Sequence, residues 1–347
     1  MAKKALITGV TGQDGGHLAF LLNEKGYEVY GVMRGQTESS HPRHQALQAE
    51  MPFLNIVLAD LTDLSALTRI MKDIQPDEVY NLAAISHVGY SFKAPLLTAD
   101  VTGKGVANML EAIRLSGLEK TARFYQASTS EMFGGLEYNR AEKGYTEDST
   151  FHPRSPYGVA KLYGHWMTRN YRESYGMYAV SGILFNHEGD RRGPEFVTRK
   201  ISKSVARIKL GKQEALELGN MDSKRDWGYA GDYVEGMWRM LQQEPADPQD
   251  YVLATGETWS VRDFVERAFE QIDIEIEWKG EGVEEQGVDK ATGKVYITIN
   301  TDFYRPAEVD FLLGDPSRAE KELGWKRKVD FPGLVKLMVE HDLKVEA

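Results

Sequence analysis

Seven residues near the start of the chain restrict its fold more than any other segment. Gly9-Val10-Thr11-Gly12-Gln13-Asp14-Gly15 follows a short apolar run, Ala5-Leu6-Ile7-Thr8, and leads into residues 18–25, which read as a helix. Glycines at this spacing permit a tight turn and let a backbone come close to a ligand. The helix that follows presents free N–H groups and the positive end of its dipole, a ready site for a pyrophosphate. A glycine-rich turn without a ligand is the ordinary alternative. The strand, turn and helix around the glycines are what favour the anion cradle.

The segments that follow keep the same alternation. Residues 28–33, 55–58, 78–82 and 124–127 read as buried strands, and residues 63–74 and 101–115 as helices, the first with Leu64, Leu67, Ile70, Met71 and Ile74 at helical spacing. Strands alternating with helices imply βαβ units, right-handed crossovers and a parallel sheet with ligands at the carboxyl ends of its strands. The expected fold class is α/β: a Rossmann-like doubly wound parallel sheet with a smaller mixed α/β substrate-binding domain. Beyond residue 186 the pattern loosens. Strands are expected at 215–218, 274–278 and 295–299, helices at 200–210, 261–271 and 332–339, and a loop at 281–293. Residues 251–254 read as one more buried strand of the first sheet. The expected division is residues 1–186 for the cofactor domain, with 230–256 returning to it, and 187–229 with 257–347 mainly for the substrate domain.

Composition narrows the function. The 347 residues carry a formal net charge of −10, which excludes an extended polyanion such as nucleic acid as a nonspecific partner. There is no cysteine, so disulfides, thiolate metal sites and a cysteine nucleophile are excluded. The eight histidines form no HExxH pattern, and no metal is expected. No apolar run is long enough to span a membrane and no signal peptide is visible, so a cytoplasmic protein is expected.

The second strand bears on the cofactor. It ends Val32-Met33-Arg34, where an NAD-selective site usually has a carboxylate. Arg34 can instead pair with a 2′-phosphate, which argues for NADP, or it is a solvated loop arginine. Asp60-Leu61 follows the third strand, where an adenine sits in such folds, and Leu82-Ala83 ends the fourth, facing the nicotinamide side. Tyr157 and Lys161 stand four residues apart on one helical face. A nearby ammonium is expected to bring the phenol toward neutrality as a general base. Thr129 and Glu131 lie at the carboxyl end of the fifth strand. They read either as a hydroxyl donor and a carboxylate acid/base or as a helix cap with an acidic first turn.

GVTGQDG (9–15), QASTSEMFG (126–134) and PRSPYGVAKLYGHW (153–166) resemble the extended short-chain dehydrogenase/reductase family. With GILFNHE (182–188), EFVTRKI (195–201), LGNMDSKRDWGYA (218–230) and YRPAEVDFLLGDP (304–316), the resemblance narrows to its GDP-mannose 4,6-dehydratase branch and runs nearly end to end. It implies dehydration of GDP-α-D-mannose to GDP-4-dehydro-6-deoxy-D-mannose by an internal hydride cycle through NADP. Tyr157 would act on the sugar 4-OH, with Thr129 hydrogen-bonding O4, Glu131 taking the C5 proton and Lys161 tuning Tyr157. Gly9, Thr11, Gly12, Gln13, Asp14, Gly15, Arg34, Asp60, Leu61, Leu82, Ala83, Ser86, Tyr157, Lys161, His187 and Arg192 would hold the cofactor. Ser86, Thr129, Glu131, Asn186, Val197, Lys200, Leu218, Gly219, Arg225, Arg305 and Glu308 would hold the substrate. Arg225 and Arg305 suit a diphosphate, or ion pairs with Asp226 or Glu308. The resemblance also implies a homodimer or homotetramer. A 4-epimerase or 4-keto reductase of the same fold, or a non-catalytic NADP-sensing protein, are the other readings.

Overall fold

The computed structural model describes residues 2–35, 42–134, 144–244, 248–303, 309 and 311–347. Its first half runs β1 (Lys4–Thr8), α1 (Gln13–Glu24), β2 (Glu28–Met33), α2 (Pro42–Glu50), β3 (Asn55–Leu58), α3 (Leu64–Ile74) and β4 (Glu78–Asn81). Two short helices, α4 (Val88–Lys93) and α5 (Pro95–Thr98), lead through a π turn, Ala99–Lys104, into α6 (Gly105–Leu115). β5 (Arg123–Thr129), α7 (Pro156–Tyr175) and β6 (Tyr178–Leu184) complete it. The second half holds β7 (Asn186–Glu188), α8 (Val197–Lys209), β8 (Leu216–Leu218), β9 (Lys224–Arg225), β10 (Trp227–Tyr229), α9 (Ala230–Met240) and β11 (Tyr251–Leu253). It ends with β12 (Trp259–Ser260), α10 (Val261–Glu270), β13 (Ile276–Lys279), β14 (Gln286–Asp289), β15 (Val295–Ile299), β16 (Phe311–Leu312), α11 (Ser317–Leu323) and α12 (Phe331–Glu346).

Seven parallel strands form the main sheet in the order β11-β6-β5-β4-β1-β2-β3. The order reverses at β1, so the crevice at the carboxyl ends of β1 and β4 is the switch point where such sheets bind ligands. One face is covered by α1, α9 and α11, through Leu18, Leu22, Met237, Leu323 and Trp325. The other is covered by α3, α6 and α7, through Leu67, Ile70, Met109, Ile113 and Tyr171. The helices are cut where the chemistry demands. Asp63 caps α3 by accepting from the Ala66 amide at 3.0 Å, and Ser260 and Asp263 form a reciprocal capping box on α10. A separate apolar cluster joins α8, α10 and α12 to β8 and β15 through Ile201, Val205, Phe264, Ile297 and Met338.

Boundaries differ from the periodicity in instructive ways. α1 begins five residues before the expected start at 18, because its first turn is glycine and polar residues that carry no apolar signal. The expected loop at 281–293 contains β14, paired antiparallel with both β13 and β15 around a bulge between Gly287 and Val288. Gly287 hides the alternation there, since it has no side chain to count. Tyr251–Leu253 lies at one sheet edge, where the Val252 amide donates to Glu147 Oε1 at 2.9 Å. Among the described residues no helix is long and apolar enough to cross a membrane.

Asp226 ties three segments together. Its fully buried carboxylate accepts from the Thr255 amide and hydroxyl, both at 2.7 Å, from the Gly256 amide at 3.0 Å and from the Gly314 amide at 3.2 Å. Burial outweighs these bonds and pushes its pKa up to about 6. A carboxyl raised in the folded state contributes its full stability below the unfolded value near 3.8, and loses it as pH rises through the folded value. Asp226→Asn is therefore expected to destabilise most near pH 4. Its deficit in thermal unfolding should shrink as pH rises from 4 to 6, at about 1.4 kcal/mol per unit of pKa difference. A deficit that is flat over this range would show that Asp226 does not titrate in this way.

Candidate active site

The turn after β1 is built on missing side chains. Gly9 has φ of 72°, a left-handed conformation, and a Cβ there would stand 2.8 Å from the Ala83 amide nitrogen. A Cβ on Gly15 would stand 2.3 Å from the Gly9 carbonyl oxygen. α1 can therefore abut the end of β1, with the Gly12 amide donating to the Gly9 carbonyl at 2.9 Å. Gly12 is the N-cap and, lacking a side chain, makes no cap bond to the first turn, whose amides meet no side chain among the described residues. Those amides and the dipole behind them fit a pyrophosphate. Thr11 is exposed at the tip, and Gln13 is buried.

Asp14, in that first turn, is neutralised from across the cleft. His187 Nε2 lies 2.9 Å from its Oδ2, and Gln13 Nε2 donates both to Asp14 Oδ1 at 3.1 Å and to the His187 carbonyl at 3.0 Å. His187 Nδ1 faces the Phe185 carbonyl at 2.7 Å. A carbonyl and a carboxylate both need a donor, so this ring is arranged to carry two protons. Burial alone disfavours that charge, but the Asp14 charge and hydrogen bond outweigh it and raise the His187 pKa. Burial likewise works to raise the Asp14 pKa, yet His187, Gln13 and Arg192 together hold the carboxyl well below its usual range.

The other cofactor-side residues line the carboxyl ends of the neighbouring strands. Arg34, exposed, follows β2. Asp60 follows β3, its pKa lowered by the Thr62 amide first and by the Arg34 charge among the lesser causes. Leu61 is buried, and its carbonyl accepts from Asn108 Nδ2 at 2.7 Å. The Leu82 and Ala83 amides each donate to Thr8 Oγ1 at 3.1 Å. Ser86 is exposed beyond them.

At the end of β5, Thr129 caps the short turn Ser130–Met132, its Oγ1 accepting from the Glu131 amide at 3.3 Å, and Glu131 stays partly exposed. Ser155 caps α7 through the Gly158 amide at 3.0 Å. A Cβ on Gly158 would stand only 3.0 Å from the Glu131 carbonyl. That bare surface brings the first turn of α7, with Tyr157, against the end of β5. Lys161, one turn on, donates to the Ala127 carbonyl at 2.6 Å and lies 5.8 Å from the centre of the Tyr157 ring.

The electrostatics of Tyr157 correct the expectation from spacing. Burial is its largest influence and raises its pKa well above the usual phenol value, with a Thr129 hydrogen bond opposing and the Glu131 charge adding to the rise. The Lys161 ammonium is turned to the Ala127 carbonyl, so the i, i+4 spacing does not by itself bring the phenol toward neutrality. Burial lowers Lys161 to about 8, and Asp14 opposes that shift.

On the facing side, Asn186 opens β7, beside Trp227 of β10. Arg192 Nε lies 2.9 Å from Glu188 Oε2, and its guanidinium stacks 3.6 Å from the Phe196 ring centre. Val197, exposed, begins α8. Lys200, whose pKa is lowered by burial, lies 3.5 Å from the Phe303 ring centre. Leu218 is buried at the end of β8, with Gly219 next. Arg225 is buried on β9, its Nη1 donating to the Lys224 carbonyl at 2.9 Å. The donors that meet Asp226 are backbone amides and a hydroxyl. Arg305 and Glu308 lie outside the described residues. Spacing did not single out Thr8, Asn81 and Gln126, although polar residues within apolar strands were a visible signal. All three are buried behind Lys161.

The GDP-mannose 4,6 dehydratase family profile matches residues 6–338. The chain is 52% identical to the GDP-mannose 4,6 dehydratase of Drosophila melanogaster, over 99% of this chain and 87% of that protein. It is 49% identical to the Homo sapiens enzyme of that name, over 98% and 91%, and 51% identical to that of Sinorhizobium fredii, over 98% and 97%. Among solved structures it resembles a UDP-glucose 4-epimerase from Thermotoga maritima with UDP-glucose (TM-score 0.80, 22% identity, 99% and 100% covered). It also resembles a dTDP-glucose 4,6-dehydratase from Bacillus anthracis in complex with NAD (TM-score 0.78, 17% identity, 99% and 98% covered). With the glycine turn, the Thr129–Glu131 pair and the Tyr157–Lys161 helix in one cleft, the chain belongs to the GDP-mannose 4,6 dehydratase family.

Proposed function

We propose that this protein dehydrates GDP-α-D-mannose to GDP-4-dehydro-6-deoxy-D-mannose, using an NADP cofactor that ends each turnover unchanged. The observation that carries this reading is Glu131 placed beside Tyr157 at the end of β5. Oxidation at C4 needs one base, whereas loss of water needs a second acid/base, and a 4-epimerase or 4-keto reductase has no use for it. The open first turn of α1, shaped by Gly9 and Gly15, fits the pyrophosphate of such a cofactor, and Arg34, with no carboxylate at the end of β2, favours NADP.

When bound, the nicotinamide supplies the acceptor, and later the donor, of one hydride. Tyr157 takes the proton from O4, and Thr129 hydrogen-bonds that oxygen. The ketone formed at C4 acidifies the C5 proton. Glu131 removes it and delivers it to O6, so that water leaves from C6; as C6 then gains the hydride, C5 regains a proton, which balances the one Tyr157 took from O4. Burial holds the Tyr157 phenol protonated, and of the protein's cations Arg192 works against that, so the phenol acts as a base only against further positive charge, to which we assign the cationic cofactor ring together with Lys161. Leu82, Ala83, His187 and Arg192 line the cofactor, and Asp60 and Leu61 its adenine end. Ser86 and Asn186 meet the sugar, Lys200, Arg225 and Arg305 the diphosphate, Val197, Leu218 and Gly219 the nucleoside, and Glu308 a ribose diol.

We also propose self-association as a homodimer or homotetramer. Val159, Tyr163 and Trp166 of α7 and Leu96 and Leu97 near it on α5 are between 46% and 80% exposed, a large apolar face for a monomer. Light scattering should give a multiple of 39.1 kDa, and Val159→Glu with Tyr163→Glu should give the monomer mass.

Incubation with GDP-mannose should yield a product lighter by one water, read by mass spectrometry, with no net NADPH formed or consumed. Net oxidation, net reduction or unchanged substrate would overturn the assignment. Glu131→Gln is expected to lower dehydration by about a hundredfold or more, while hydride exchange between C4 and the cofactor continues. Arg34→Ala should weaken NADP⁺ binding about tenfold or more, as expected for a lost charge-assisted contact, and leave NAD⁺ binding nearly unchanged in a direct binding titration.

A further inference from the structure

Behind Lys161 runs an unbroken chain of buried hydrogen bonds that crosses three strands. Thr8 Oγ1 on β1 donates to Asn81 Oδ1 on β4 at 2.7 Å. Asn81 Nδ2 donates to Gln126 Oε1 on β5 at 2.8 Å. Gln126 Nε2 donates to the Ala127 carbonyl at 2.9 Å, and that oxygen is the one Lys161 Nζ meets at 2.6 Å. Thr8, Asn81 and Gln126 are each at most 1% exposed, and Lys161 is 4% exposed. The chain has a single consistent direction. A carbonyl can only accept, so Gln126 must turn its NH2 toward Ala127 and its oxygen toward Asn81. Asn81 must then donate to Gln126 and accept from Thr8. The Thr8 hydroxyl is left with its lone pairs for the Leu82 and Ala83 amides.

We infer that Gln126 is a positioning residue for Lys161, sharing the Ala127 carbonyl with it and, through Asn81 and Thr8, holding the ammonium in register with the Leu82–Ala83 turn that faces the cofactor. Two donors on one oxygen compete, and the positive end of the Gln126 amide faces the same point as the ammonium. Gln126 therefore fixes where that carbonyl stands, and so where the ammonium stands, while drawing off part of the carbonyl's hold on its charge. The charge that acts on Lys161 is Asp14 from α1; Tyr157 on its own helix has its ring centre 5.8 Å away, and Glu131, beyond the end of β5, and Arg192, after β7, act on Tyr157. None of them bonds the Ala127 carbonyl, so the effect of Gln126 is separable from theirs. The roles of Lys161 and Tyr157 rest on the proposed dehydratase reading, whereas the coupling of Gln126 to Lys161 does not.

The coupling is read on the protein without substrate, by following the Lys161 ε-carbon in ¹³C-lysine-labelled protein through a pH titration, with Lys161→Arg for assignment. The native amine should titrate near 8. In Gln126→Met the remaining carbonyl–ammonium bond strengthens and the midpoint should rise. Gln126→Glu should raise it as well, because the ionised side chain favours the ammonium. In turnover of GDP-mannose, Gln126→Met should lower kcat roughly ten- to a hundredfold, as misplacement of a group acting on the reaction does, with KM within about twofold and the alkaline limb of the pH profile moved upward. If Gln126→Met does not fold, Thr8→Val removes the far end of the chain and should move the same midpoint in the same direction by less. Variants whose midpoints equal the native one, with only thermal stability lowered, would reduce the chain to a structural cluster and overturn the inference. Failure of the native protein to act on GDP-mannose would count against the dehydratase reading and leave the lysine titration decisive for Gln126.

Discussion

The close approach of α1 to the end of β1 is the constraint on which the rest of the cleft depends. Gly15 packs against the Gly9 carbonyl at a distance no side chain would allow, and Gly9 packs against Ala83 in the same way. Once these contacts are made, the first turn of α1 points into the crevice between β1 and β4, at the point where strand order reverses. An uncapped helix start is then a functional feature, since a side-chain cap would occupy the amides that an anion needs.

A second close approach completes the site from the other side. Gly158 lets α7 settle on the backbone of Glu131, which puts a phenol, an ammonium, a hydroxyl and a carboxylate at the end of one strand. Burial is the main influence on two of these groups: the phenol is held protonated, and the ammonium is lowered to about 8. The imidazole of His187 offsets the one carboxylate, Asp14, that would otherwise repel an anion at the helix start. An acidic protein can thus hold anionic ligands, because the positive groups are local and backbone-based.

Much of this was legible in the residues, and the rest was not for identifiable reasons. The alternation of strand and helix, the glycine turn and the Tyr157–Lys161 spacing are local patterns, and each lies where its period places it. β14 was not legible, because Gly287 and a bulge break the alternation that marks a strand. The state of Tyr157 was not legible either, since spacing reports which residues share a helical face but not how much water reaches them. The two readings of Thr129 prove compatible: the hydroxyl caps a turn and still sits at the end of β5. Gln126 shows a signal that periodicity discards, a polar residue in a strand otherwise filled with buried groups.

The bond from the Val252 amide to Glu147 is a modest feature with a wider consequence. β11 is the outermost strand on its side of the sheet, and its free backbone groups would otherwise be a template for a strand from another molecule. A carboxylate accepts from that edge and presents nothing with which a further strand could pair. Burial raises the Glu147 pKa, the cost of stationing an acid there. That side chain, together with the burial of Val252 in a cluster with Tyr145 and Leu312, guards this margin of the sheet against fibre-like stacking, so that among the described residues the sheet stops at seven strands.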